Sequence, residues 1–111
     1  MTDIDPHIWG PSFWSTYHLY ASSYPIHPTP IIMDAARSFV KTIPFTLPCS
    51  SCTDHAFAYI KNIQKKDPDL ISIVSSKMLF EKFFIDFHNS VNYRLGKPLL
   101  PESVARKKWK F

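Results

Sequence analysis

The run Lys77-Met78-Leu79-Phe80-Glu81-Lys82-Phe83-Phe84-Ile85-Asp86-Phe87-His88-Asn89-Ser90-Val91-Asn92-Tyr93-Arg94-Leu95-Gly96-Lys97-Pro98 decides the fold class. Its apolar residues Phe80, Phe83, Phe84, Phe87, Val91 and Leu95 recur every three or four positions. That is the helical period, not the alternation of a strand, and it predicts a helix over about 77–95. Gly96 suits the left-handed residue just past a helix end, and Pro98 lies where a helix cannot continue. His88, Asn89 and Asn92 are three and four positions apart, so all three can face one ligand.

The rest of the chain repeats the same period. Trp9-Gly10-Pro11-Ser12 reads as a helix start after an irregular lead-in over 1–8, because Pro is tolerated in a first turn. From about Pro11 to Ser23, Phe13, Tyr17 and Tyr20 share one face, and Trp14, His18 and Ala21 share its neighbour. The prolines of Tyr24–Pro30 mark a loop. A second helix opens at Thr29 or Pro30 and runs to Thr42 or Pro44, on Ile32, Ala35, Ala36, Phe39 and Val40. A third starts around Cys49 and runs to about Gln64, on Cys52, Ala56, Tyr59, Ile60 and Ile63. Asp69–Ser76 reads as loop or short helix, since one strand alone would have no partner. Pro101-Glu102-Ser103 starts a last short helix through about Lys108. The expected fold is all-α: a four-helix up-down bundle with a short fifth helix, and a CxxC at the start of the third.

A chain of 111 residues fits one domain, 1–111, with a modest core. Aromatic residues make up 15%, enough for a ring-packed core or a pocket for a planar ligand. The formal charge of +4 is compatible with an anionic cofactor, and apart from Arg106-Lys107-Lys108 the basic residues are scattered. No nucleic-acid partner is expected. No apolar run approaches the roughly 20 residues of a membrane span. The acidic start Met1-Thr2-Asp3-Ile4-Asp5-Pro6 is not a signal peptide. A cytoplasmic setting follows as an expectation, and two cysteines are too few for a secreted disulfide scaffold.

Those two cysteines form Pro48-Cys49-Ser50-Ser51-Cys52. At a helix start, the dipole and the free N–H groups of the first turn would activate both thiols for disulfide exchange. The spacing also admits a metal site, because His55 extends it to C-x2-C-x2-H with His88 as a distant fourth ligand. Two buried thiols acting as small hydrophobes are a third option. A thioredoxin-like answer fails for want of βαβ units. A helical CxxC protein that oxidises thiols needs an electron acceptor that helices do not provide.

Four separated blocks resemble the Erv/ALR family of FAD-linked sulfhydryl oxidases. They are Trp9-Gly10-Pro11-Ser12-Phe13-Trp14 with His18 and Tyr24-Pro25; Leu47-Pro48-Cys49-Ser50-Ser51-Cys52 with His55; Phe87–Pro98, reading HNxVNxxLGKP; and Trp109. The resemblance implies an FAD-dependent thiol oxidase with no bound metal, in which Cys49 and Cys52 are catalytic. It places Gly10, Trp14, His18, Cys52, His55, His88, Asn89, Val91, Asn92, Leu95, Lys97 and Trp109 around FAD, with Lys97 toward the phosphates and Trp109 on the adenine. It implies that substrate thiolate attacks Cys49, that Cys52 passes two electrons to FAD, and that oxygen leaves as hydrogen peroxide. It implies a homodimer through the first two helices. Cellular members usually add a shuttle pair of cysteines and a structural disulfide, whereas here Ile85 stands three before His88. The substrate, a thioredoxin-like or CxxC-containing dithiol protein, must then reach Cys49 directly. Such a stripped-down chain looks like the members from large cytoplasmic DNA viruses, acting in a disulfide relay in the host cytoplasm or virion.

Overall fold

Helix α1, Pro6–Ser23, starts five residues before the expected Pro11. The computed structural model describes residues 2–111, and its first turn shows why. The Asp5 carboxylate accepts from the His7 N–H at 2.9 Å, and Pro6 takes the first helical position. This cap and proline are the stronger start signal, so Pro11 falls inside the helix. The lead-in is tied down rather than irregular. The Ile4 N–H donates to the Pro48 carbonyl at 2.8 Å, and Trp9 Nε1 donates to the Ile4 carbonyl at 2.9 Å. Asp3 Oδ1 accepts from both the N–H and the hydroxyl of Ser50, at 2.9 and 2.8 Å.

The described residues form six helices: α1, α2 (Pro30–Thr46), α3 (Ser50–Gln64), α4 (Ile71–Val74), α5 (Lys77–Arg94) and α6 (Glu102–Lys108). Thr29 caps α2 by accepting from Ile32 N–H at 3.3 Å. This helix runs two residues past Pro44, longer than expected. The Pro44 and Leu47 carbonyls at its end both accept from the Thr53 hydroxyl, at 2.8 and 3.3 Å, which joins α2 to α3. The ambiguous 69–76 stretch holds the single turn α4. Leu70 precedes it, fully buried at a left-handed φ of 56°. The Asp67 carboxylate accepts from the N–H groups of Ile71 and Ser72 at 3.0 and 2.9 Å, replacing the cap that Leu70 cannot supply.

Ser76 caps α5 by accepting from Leu79 N–H at 3.2 Å, and Gly96 at φ 70° ends it as its composition predicts. The phenylalanines of the α5 stripe enter the core, whereas Val91 is partly buried and Leu95 is exposed. Phe80, Phe84 and Phe87 are buried, and so is Ile85. Tyr17 of α1 stacks on Phe84 at 5.5 Å, and Tyr59 of α3 meets Phe87 at 5.4 Å. Helix α6 lies along α5. Arg106 pairs with Glu81 at 3.2 Å and Glu102 at 3.3 Å, Lys82 reaches Glu102 at 3.2 Å, and Ala105 is buried beneath them. The result is the expected bundle of α1, α2, α3 and α5 with α6 appended. Among the described residues, no helix is long and apolar enough to cross a membrane.

Candidate active site

Cys49 is the residue before α3, and Cys52 lies in its first turn. They are joined as a disulfide across a Cα–Cα distance of 5.2 Å. The Cys49 sulfur also accepts from the Cys52 N–H at 3.3 Å, so it caps the helix it begins. It lies 3.4 Å from the Ser51 hydroxyl. Both sulfurs sit at a helix N-terminus, where developing negative charge is favoured.

Cys52 forms part of the wall of a cleft of about 450 Å³ between α1, α5 and the C-terminal residues. That volume lies within the roughly 300–1,000 Å³ of ordinary ligand clefts. One wall is a ladder of rings. Trp14 stacks on His88 at 3.9 Å and 6°. His88 Nδ1 lies 3.0 Å from His18 Nε2, and His18 stacks on Trp109 at 4.6 Å and 12°. The Ser22 hydroxyl donates to the Trp109 carbonyl and fixes that last ring. One imidazole must donate and the other accept, which two neutral rings can do. Burial drives this, lowering each pKa to about 4; His88 and Lys108 add to the effect on His18, and Lys108 and Lys97 to that on His88.

The rim carries one sign of charge. Arg94, Lys97 and Lys108 line the cleft, and among the described lining residues there is no carboxylate. Cationic groups around planar rings suit a ligand with aromatic ends and an anionic middle.

Of the residues expected around a cofactor, Gly10, Trp14, Cys52, His88, Val91, Asn92, Leu95, Lys97 and Trp109 line this cleft. His18 stands behind them, buried, and acts on the cleft through His88 and Trp109. Two others are engaged elsewhere. The Asn89 amide donates to the Leu100 carbonyl at 2.7 Å and accepts from the Leu100 N–H at 2.9 Å, clamping the segment before α6. His55 Nε2 meets the Ser90 hydroxyl at 3.0 Å. The alternative metal ligands are likewise occupied, and among the described residues no cluster of three or more His, Cys, Asp or Glu is gathered.

Sequence reasoning missed Arg94 and Lys108. Arg94 lies three residues past Val91 on the cleft side of α5, and its Nη2 reaches the Cys52 sulfur at 3.7 Å. Lys108 sits beside Trp109, with its ammonium 5.3 Å from that ring. Spacing from Val91 was the available signal for the first; the second needed the docking of α6.

A helical bundle that sets a CxxC disulfide into the wall of a ring-lined, cationic cleft defines a helical thiol–disulfide redox protein with an adjoining cofactor site. The match is specific: the chain belongs to the Erv1 / Alr family, whose profile covers residues 11–110. It is 98% identical over 111 residues, the whole of both chains, to protein 347L of Invertebrate iridescent virus 6. It is 35% identical over 92 residues to the FAD-linked sulfhydryl oxidase of African swine fever virus, covering 83% of this chain and 71% of that one. Its fold matches the FAD binding domain of Erv1 from Saccharomyces cerevisiae with a TM-score of 0.84 and 27% identity, over 96% of this chain and 95% of that chain.

Proposed function

We propose that this chain is an FAD-linked sulfhydryl oxidase that makes disulfides in partner proteins. The observation that carries the reading is the disulfide itself, with Cys52 on the wall of the cleft and Cys49 capping α3 beside it. The cleft fits the cofactor: rings for its planar ends, cations for its pyrophosphate, and no lining carboxylate to repel it. Trp14, His88 and Trp109 would hold the rings, Lys97 and Lys108 would bind the phosphates, and Gly10, Val91, Asn92 and Leu95 would complete the wall. When bound, FAD would supply the two-electron acceptor that the helices lack, with oxygen as the final acceptor and hydrogen peroxide as the product.

The chain's own chemistry is thiol–disulfide exchange. A substrate thiolate attacks the Cys49 sulfur; a mixed disulfide forms and Cys52 leaves as thiolate. A second substrate thiol attacks the mixed disulfide, Cys49 takes a proton, and the substrate departs oxidised. Within these 111 residues there is no other cysteine, and on this reading the dithiol substrate, a thioredoxin-like or CxxC-containing protein, meets Cys49, which is itself 7% exposed. The viral relatives support a place in a viral disulfide relay, in host cytoplasm or virion. The exposed Ile8, Leu19, Ile31 and Ile32 on α1 and α2 support a homodimer through those helices; sedimentation as a monomer at micromolar concentration would remove that part.

Purified protein should be yellow and should consume oxygen when given dithiothreitol. Cys52→Ala should stop turnover and keep the flavin, whereas His88→Ala should release it. Colourless protein with one equivalent of zinc, or full turnover by Cys52→Ala, would overturn the reading.

A further inference from the structure

We infer that Arg94 is the residue that holds the Cys52 sulfur as a thiolate once the disulfide is reduced. The geometry is direct. Arg94 Nη2 lies 3.7 Å from Cys52 Sγ, across from α5 to α3. The sulfur is buried, so a charge formed there keeps little water. A guanidinium at this range compensates that loss, and being always protonated it does so at every working pH.

The other titratable and charged groups around the sulfur do not replace it. His55 lies on the same helix but is turned to Ser90. His7 from α1, His88 from α5, Lys97 beyond α5 and Lys108 from α6 line the same cleft. Among the described residues, Arg94 is the charged group within hydrogen-bonding range of either sulfur. Its field also reaches His55, whose pKa is lowered first by burial and then by Arg94.

The consequence follows from the balance of the reductive half. Substrate dithiol and the Cys49–Cys52 disulfide become substrate disulfide, a Cys49 thiol, a Cys52 thiolate and one released proton. Two electrons move from the substrate sulfurs to the Cys49–Cys52 pair. Arg94 already touches the Cys52 sulfur in the disulfide, but its charge stabilises a thiolate more than a neutral sulfur, so it favours the reduced pair and makes Cys52 the better leaving group. Cys49, capped only by backbone and hydroxyl, receives no such charge. Arg94 thereby sets which sulfur leaves in each exchange. The inference rests on the oxidase reading only in taking the pair to cycle between disulfide and dithiol.

The test compares Arg94→Gln and Arg94→Lys with wild type, flavin-loaded and anaerobic. In a Cys49→Ser background the pH midpoint for iodoacetamide alkylation of Cys52 should rise by about one pH unit in Arg94→Gln, the lower end of what an opposite charge at this range supplies. Arg94→Lys should restore most of it. With both cysteines present, the equilibrium constant for reduction in glutathione buffers at pH 9 should fall about tenfold, or about 30 mV. Below the alkylation midpoints of all the variants, where the sulfur is protonated in each, this gap should close. An unmoved midpoint, or a gap as large below the midpoints as at pH 9, overturns the inference. Should Arg94→Gln lose its helical circular dichroism, Arg94→Met, which keeps an unbranched apolar stem without the charge, takes its place and must raise the midpoint likewise. Oxygen uptake on dithiothreitol is scored separately. Its absence would sink the oxidase reading while a shifted midpoint left the role of Arg94 standing.

Discussion

Acid should unfold this protein through the imidazole pair before it acts on the carboxylates. His18 and His88 each keep a pKa of about 4 in the fold, against 6.5 in the unfolded chain. Below pH 6.5 the unfolded chain takes up protons that the fold refuses, so stability is complete above that pH and drains away as pH falls toward 4. Each ring contributes up to about 3 kcal/mol over the interval, at about 1.4 kcal/mol per pH unit, and the two together somewhat less than twice that, because His88 is partly exposed and screened. At about 4 °C per kcal/mol, the melting temperature should drop by at least roughly 10 °C. His55, lowered in the same direction, adds to the same window. The carboxylates of Asp3, Asp5 and Glu102, held low by their hydrogen bonds, act only below about 4.5. Urea titrations at half-unit steps from pH 7 to 4.5 measure the slope. His18→Gln, which removes one titrating ring, should make it shallower. A flat stability between pH 6.5 and 4.5, or one that rises as pH falls, would refute the assignment of these rings as buried and neutral.

Phe84 is fully buried in the ring core, so Phe84→Ala should cost about 3–5 kcal/mol in urea unfolding. Gly96→Ala places a Cβ at φ 70°, and a loss of about 1 kcal/mol in thermal melts is expected although space for the atom is open. Arg106→Ala removes the bonds to Glu81, Glu102 and the Met78 carbonyl. It should speed proteolysis of the α6 segment and weaken flavin retention, because Lys108 and Trp109 are carried on that segment. Retention equal to wild type by fluorescence would show that α6 docks without Arg106.

The parts of the fold legible in the sequence were those with a long period behind them. Helix α5 showed its stripe and its Gly96 stop; spacing put His88 and Asn92 on one face, and the family resemblance, not spacing, put Val91 and Leu95 at the cofactor. The start of α1 was misplaced because Pro11 was read as the first turn, although Asp5-Pro6 carries the stronger start signal; the tether from Asp3 and Ile4 to the α3 start adds to it. Asn89 was assigned to the ligand because it shares a face with His88 and Asn92. Its amide instead serves Leu100, a partner eleven residues on that no helical period reveals. Arg94 was missed for a related reason: a basic residue near a helix end already has an ordinary explanation in the dipole, and its reach to Cys52 crosses between helices.

The Cys49–Cys52 bond, proposed here as the one that reacts, closes a loop of sequence separation 3. So short a loop restrains the unfolded chain little. Helix α6 is held instead by the Arg106 and Lys82 pairs and by the Asn89 clamp. The scaffold is therefore blind to reductant while its site is not. Dithiothreitol at any concentration should leave the unfolding curve nearly in place, whereas salt, which screens those pairs, should loosen α6. A fold built this way should keep the architecture that holds the site whether the pair stands as disulfide or as dithiol.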